Sequence, residues 1–402
     1  MRLLTQLILS ALFILCLASA ARAADDEIAD VEVHEWSVWI VDSTLERANE
    51  LAHFPNALPA VVQSERARSA NQGKLSPLSL VTFHGEPQKD FEVELRIGAG
   101  RFVSHWPAGS RSGERLRWIE AALTSELPPA ARMAHVDAAH WFQQAREVDS
   151  LYLSVGGRSE RFLAYDPELR LSTPIQLAGG PDQYQITSTA TFALGDTLVI
   201  APTPEGPRLG WIDELQQGAQ TPTEIIMSAP VTADTPGSAA ARADLAARLE
   251  KSGLHPDEAE LLLSMYAAPL LRTEQLLVVI RLPSAALEQL VPLITYPSVK
   301  KTVRTGLLVV RNIDPALKDQ VGGLIAQLGA ESYKEREAAE QRLTTLGRLG
   351  IPALKQALAS TDIEVVYRAE RILLKLKESI DPPAAATPAT AAPVALPATP
   401  AK

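Results

Sequence analysis

The chain has 402 residues with 38 Lys and Arg against 48 Asp and Glu, a formal net charge of −10. An acidic chain without a basic block is a poor ligand for nucleic acid or anionic membranes. Its one cysteine, Cys16, falls in an N-terminal apolar segment, so disulfide scaffolds, zinc ribbons, iron–sulfur sites and cysteine nucleophiles are excluded for everything after it.

Residues 1–23 read as a signal peptide. Arg2 supplies the positive start, Leu7 to Ala20 an apolar stretch, and Ala21-Arg22-Ala23 the small residues of a cleavage site, with Ala18-Ser19-Ala20 as an alternative. Fourteen apolar residues fall short of the roughly 20 that a relaxed membrane span needs. The expectation is an exported protein, periplasmic or extracellular, with no span in the mature chain. The longest later apolar run, Leu261 to Leu271, is bounded by Glu260 and Arg272. Removing Arg2 and Arg22 leaves 36 cations against 48 acids, a mature net charge of −12.

Residues 24–230 read as a β-rich domain. Val31 to Val41 is a β-branched and aromatic run. Phe91, Val93, Leu95 and Ile97 alternate with polar residues, Gly98-Ala99-Gly100 turns, and Arg101 to Trp106 reads as the returning strand. In a second hairpin Leu151 to Val155 leads to Gly156-Gly157, and Arg161 to Tyr165 returns. Tyr184 to Phe192, Leu198 to Ala201, Leu209 to Ile212 and Glu224 to Met227 add short strands at sandwich-like spacing. A helix is expected near 138–147, capped by Asp137.

Residues 231–312 read as an α/β segment, either separate or part of the β-rich domain. It holds a helix over 238–251, a second helix from Pro256 with Asp257 and Glu258 in its first turn, and strands at 276–281 and 305–312. Residues 313–379 show helix starts at Asp314-Pro315, Ser332 with Glu335, Pro352, and Thr361 with Glu364, and a stop at Gly347. Glu364 and Arg368 form an i,i+4 surface pair. Residues 380–402 are an Ala/Pro/Thr tail expected to stay extended. The fold class is therefore α+β: a β-sandwich-like N-terminal body, a mixed α/β middle and a small all-α C-terminal region.

The run Arg336-Glu337-x-Ala339, Leu346-Gly347, Ile351-Pro352-x-Leu354, Ala357-Leu358, Asp362-x-Glu364-Val365, Arg368-Ala369 and Leu373 resembles the HEAT-like repeats of exported bacterial proteins. It covers about one and a half repeats. The resemblance implies stacked helix pairs that present a protein-binding surface in long arrays. So short a set is also compatible with a helical cap. His34-Glu35-Trp36-Ser37-Val38-Trp39, with Trp106-Pro107-Ala108, is similar to a family of exported bacterial proteins of unknown role with an N-terminal His-Glu-Trp motif. That likeness implies no activity.

No local constellation nominates a catalytic, cofactor-binding or metal-binding residue. His34-Glu35 lacks the second histidine of the zinc-protease motif, because position 38 is Val. On a strand His34 and Glu35 face opposite ways, which favours a histidine at the edge of the core. His84, Glu86 and His105 converge only if the fold gathers them, and His255 before Pro256 reads as a turn residue. His135 and His140 stand apart on a helix. Gly109-Ser110-Arg111-Ser112-Gly113 is a polar loop rather than a nucleophile elbow. All six tryptophans lie within the first 211 residues, where exposed rings would stack on sugars and buried rings would fill the core. Trp36 and Trp39 sit on opposite strand faces, so both are core only if both faces are covered. The candidate ligand contacts are His34, Trp36, Trp39, His105 and Trp106. The expected role is non-enzymatic binding or scaffolding in the cell envelope, with an envelope protein or polysaccharide as partner and no nucleic acid. The alternatives are a hydrolase with dispersed Asp, Glu and His residues, or a polysaccharide-binding module using Trp.

Overall fold

A computed structural model describes residues 28–43, 63–64, 77–129, 131–136, 138, 140–218, 221–232 and 236–376. The signal segment, Asp137 and the Ala/Pro/Thr tail lie outside them. The fold is α+β and divides into two units, residues 1–315 and 316–402.

The first unit is built around β1 (Ala29–Asp42), whose side chains are buried on both faces. Val31, Val33, Trp39 and Val41 enter one core, and Trp36, Val38 and Ile40 enter another. A strand covered on both sides reads as a continuous apolar run, as β1 does at Val38–Val41, whereas its buried His34, Glu35 and Ser37 depart from that pattern. The other strands are β2 (Gln63–Ser64), β3 (Leu78–Gly85), β4 (Gln88–Arg96), β5 (Gly100–Trp106), β6 (Ser110–Ser112), β7 (Arg115–Thr124), β8 (Tyr152–Val155), β9 (Arg158–Glu160), β10 (Leu163–Leu169), β11 (Ile175–Gly180), β12 (Gln183–Ser188), β13 (Thr197–Ala201), β14 (Arg208–Ile212), β15 (Thr223–Ile226), β16 (Leu277–Leu282), β17 (Leu293–Tyr296) and β18 (Val299–Arg311).

A nine-stranded sheet runs β14-β13-β16-β18-β1-β3-β10-β5-β2. One face shares a core with Phe91, Val93, Leu95 and Trp118 of a second sheet, β17-β4-β7-β8-β9, and with the small sheet β11-β12-β15. Helices cover the other face: α1 (Trp141–Glu147), α2 (Pro236–Lys251) and α3 (Pro256–Leu271) contribute Phe142, Leu249, Leu262 and Tyr266 to its core. A short α4 (Ser284–Leu290) adds Ala286 and Leu287 to the sandwich core. β16 and β18 return to the sheet of β1, with β18 parallel to it, so the middle segment completes the β body.

Two expected hairpins differ in detail. β4 and β5 do not pair: β4 bonds β7 and β17, whereas β5 bonds β10 in the other sheet. Gly98-Ala99-Gly100 is thus a corner between sheets. Gly100 has φ +145° and lies so close to the Glu168 carbonyl that no side chain fits. In the second hairpin the return strand is β9, at 158–160, and residues 163–165 belong to β10. α1 starts at Trp141, three residues later than expected, because the His140 ring nitrogen accepts from the Phe142 backbone N–H and caps it.

The second unit has α5 (Pro315–Gln327), α6 (Tyr333–Leu346), α7 (Ile351–Ala357) and α8 (Ile363–Lys375) around Val321, Leu328, Ala339, Leu343, Leu354 and Ile372. Ser332 makes no side-chain cap, and α8 is capped by Asp362 rather than Thr361. Arg368 is buried rather than on the surface: it pairs with Glu364 at 2.7 Å and with the buried Glu340 at 2.9 Å. Among the described residues no helix is long and apolar enough to cross a membrane.

Candidate metal centre

Strand periodicity puts Glu32 and His34 on one face of β1, and Thr82 and His84 on one face of β3. The antiparallel register sets Glu32 opposite His84 and His34 opposite Thr82. On the other side of β1, Lys301 and Val303 of β18 stand beside Glu32 and His34. The α2–α3 turn closes over this patch. Gly253 has φ +106°, a conformation that favours glycine, and a Cβ there would press on Val303 Cγ1 at 3.0 Å. Ser252 Oγ bonds Thr305 Oγ1 at 2.6 Å. The turn delivers His255 to the N-cap of α3 and Glu258 to its first turn, where the Glu258 carboxylate accepts from the His255 backbone N–H at 2.8 Å.

Three imidazoles therefore converge, with ring centroids 4.5–4.6 Å apart for each pair of His34, His84 and His255. Glu258 Oε2 lies 2.8 Å from His34 Nδ1, and Oε1 lies 3.0 Å from His84 Nε2 while accepting from the Thr82 hydroxyl. One donor atom from each of the four residues falls within 4.8 Å of all the others. Ligands on a tetrahedral zinc ion at its usual bond lengths stand about 3.4 Å apart, so the carboxylate–imidazole pairs at 2.8 and 3.0 Å would open slightly and the widest pairs, at up to 4.8 Å, would close. Glu258 is 0% and His34 1% exposed, His84 is partly buried, and His255 is the most exposed of the four. The cluster is a pit with one open side.

The electrostatics suit ligation. Burial alone would raise the Glu258 carboxyl, but hydrogen bonds from His34, His84 and Thr82 outweigh it and hold the group well below the usual carboxylate range. The α3 N-terminus also favours its negative form. Burial, then the neighbouring His34 and His84, pushes His255 below its ordinary value and keeps its imidazole neutral. Three imidazole nitrogens and one carboxylate oxygen, with no thiolate, form a donor set for zinc or a similar first-row divalent ion.

Of the residues nominated from sequence, His34 joins this centre and the others do not. Trp36 is buried with its ring 6.4 Å from that of Tyr266. Trp39 is buried on the opposite face, where its Nε1 donates to Ser79 Oγ at 3.0 Å. Trp106 packs against Phe142 with Arg158 over its ring. His105 is buried edge-on to Trp118, and burial pushes its pKa down. Both faces of β1 are covered, so Trp36 and Trp39 are both core. Trp211 is half-buried beneath Arg248. Glu35 points away from His34, as strand geometry requires. It is buried and accepts from Tyr165, Ser37 and Arg304 at 2.7–2.8 Å. Glu86 is exposed.

His84, His255 and Glu258 were not singled out as ligands from sequence. The available signals were the two alternating pairs Glu32-x-His34 and Thr82-x-His84, and His255-x-x-Glu258 at a helix start. Their convergence depends on contacts 174 and 224 residues apart in the chain. In comparisons with protein-family models and with curated proteins, the chain gives no match.

Proposed function

We propose that this is an exported metal-binding protein whose β body holds one divalent transition-metal ion, zinc by donor preference, through His34, His84, His255 and Glu258. The observation that carries the reading is the convergence of three imidazoles on a buried, ionised carboxylate. Imidazoles so placed repel one another when protonated, and a metal ion that displaces those protons to solvent and takes the ring lone pairs removes the repulsion between them. The apolar N-terminal stretch behind Arg2 supports export.

The test is metal stoichiometry on the full chain after chelator treatment, by elemental analysis and by Co2+ titration. One ion per chain, with the visible bands of a tetrahedral Co2+ centre, is expected. His84→Ala and Glu258→Gln should abolish stoichiometric binding. A wild-type chain that retains no Zn2+ or Co2+ would overturn the reading. The hydrolase alternative is assayed on the same loaded protein, since the open His255 side is where a water or substrate oxygen would reach the ion.

A second reading concerns the helical unit, for which partner binding in the cell envelope is favoured by an exposed apolar stripe. Ile363, Tyr367 and Leu374 of α8 are 84%, 57% and 63% exposed and lie on one side of the helix by their spacing. Crosslinked capture with the full chain and with its Tyr367→Glu, Leu374→Glu variant is the test. Capture of the same partners by both would count against this reading.

A further inference from the structure

In the centre proposed above, one ring nitrogen of His34 meets the ion and the other is free to anchor the ring. Nδ1 faces Glu258 at 2.8 Å, inside the donor group. Nε2 is buried and has no hydrogen-bond partner among the described residues. The carboxylate beside it is Glu32, with Oε2 3.7 Å from Nε2. The same oxygen lies 3.0 Å from Lys301 Nζ, and Lys301 stands opposite Glu32 in the β1–β18 register. Glu32 is outside the set of donors that share the cluster.

A cation on Nδ1 takes that nitrogen's lone pair and leaves the ring proton on Nε2. A buried N–H without an acceptor is unfavourable, and metal-bound imidazoles almost always give their second N–H to a carboxylate, a carbonyl or water. We infer, on the basis of the metal reading above, that Glu32 is the positioning residue of the centre. Its carboxylate accepts the His34 Nε2–H, which fixes the tautomer and aims Nδ1 at the ion. The Glu32 side chain is 30% exposed, which leaves it room to close the remaining distance. Lys301 holds it on the correct side of β1.

The experiment combines Zn2+ affinity, measured on the full chain by competition with a chromophoric chelator, with long-range proton–nitrogen correlation spectra of the Zn2+-loaded imidazoles. Glu32→Ala is expected to weaken Zn2+ binding about 10–100-fold. Glu32→Gln, whose amide oxygen still accepts an N–H, should recover most of that loss. The His34 ring should show Nδ1 metallated and Nε2 protonated, with an N–H that exchanges slowly in the wild type and rapidly in Glu32→Ala. If the wild type binds no Zn2+, the metal reading fails and this one with it. If the wild type binds and Glu32→Ala matches it, the metal reading stands and the role of Glu32 falls. Metallation at Nε2, or an equal loss in Glu32→Gln, overturns the role of Glu32 in the same way.

Discussion

Glu258 has no solvent contact and several donors around its two oxygens, so its contribution changes with pH in a direction that can be worked out. In the metal-free chain its folded pKa is depressed. Its stabilisation is therefore present above the ordinary carboxylate range and lost as pH falls through the folded value. His255 is also depressed, which for a base means that the unfolded chain takes up a proton first. Stability falls as pH drops through the ordinary histidine value of about 6.5. Both groups make acid unfavourable, with His255 acting first and weakly because its ring is partly exposed. The expected result, with chelator present, is a lower urea midpoint at pH 5.5 than at pH 7.5. The difference should be smaller in His255→Gln; an equal difference in that variant would remove His255 from the account. Zinc should steepen the same trend, since protons compete for the imidazole nitrogens.

At the scale of elements, the α2–α3 turn decides whether the four donors meet. Gly253→Ala would impose a side chain at φ +106° against Val303, at a cost of roughly 1–3 kcal/mol for the backbone alone. Because His255 and Glu258 follow directly, this variant should lose zinc affinity although no ligand is changed. Unaltered affinity with lowered stability would show that the turn and the site are uncoupled. Part of the element set was legible, but β3, β7, β11, β17 and α4 were not read from the sequence, and β3 carries Thr82 and His84. Alternation marked β4 and β12, β-branched density marked β1, and Pro, Gly and acidic residues marked the ends of α3, α6 and α7. Pairing was not legible either. Gly98-Ala99-Gly100 has the composition of a hairpin turn, yet the close approach of Gly100 to Glu168 makes it a corner between sheets. That distinction depends on a residue 68 positions away. The centre was hidden for the same reason: His34 reads as a core-edge residue until β3 and α3 are laid beside it. The capping error at Thr361 was more local, since Asp362 next to it competes for the same backbone N–H groups and wins.

For the whole molecule, two units with separate hydrophobic cores imply that heat should resolve two events. The β body has its cores on the two faces of the nine-stranded sheet, and the helical unit has its own around Leu343, Leu354 and Ile372. All four proposed ligands belong to the first unit. A ligand that binds only the folded form stabilises it by mass action, by about 2.7 kcal/mol at one hundred times its dissociation constant. Zinc should therefore raise one calorimetric transition and leave the other in place. The second transition has its own handle in Glu340, which is 1% exposed and accepts from Arg368, Arg371 and Lys375 of α8. Removing Glu340 takes a partner from the buried Arg368, which keeps Glu364, while Arg371 and Lys375 reach solvent, so the variant should be destabilised by less than the loss of a fully buried pair. Glu340→Ala should lower the zinc-insensitive transition while the zinc-induced rise of the other keeps its size. A single transition that moves with both zinc and Glu340→Ala would mean that the two cores unfold together, and the helical unit would then have to be counted as part of the β body's stability.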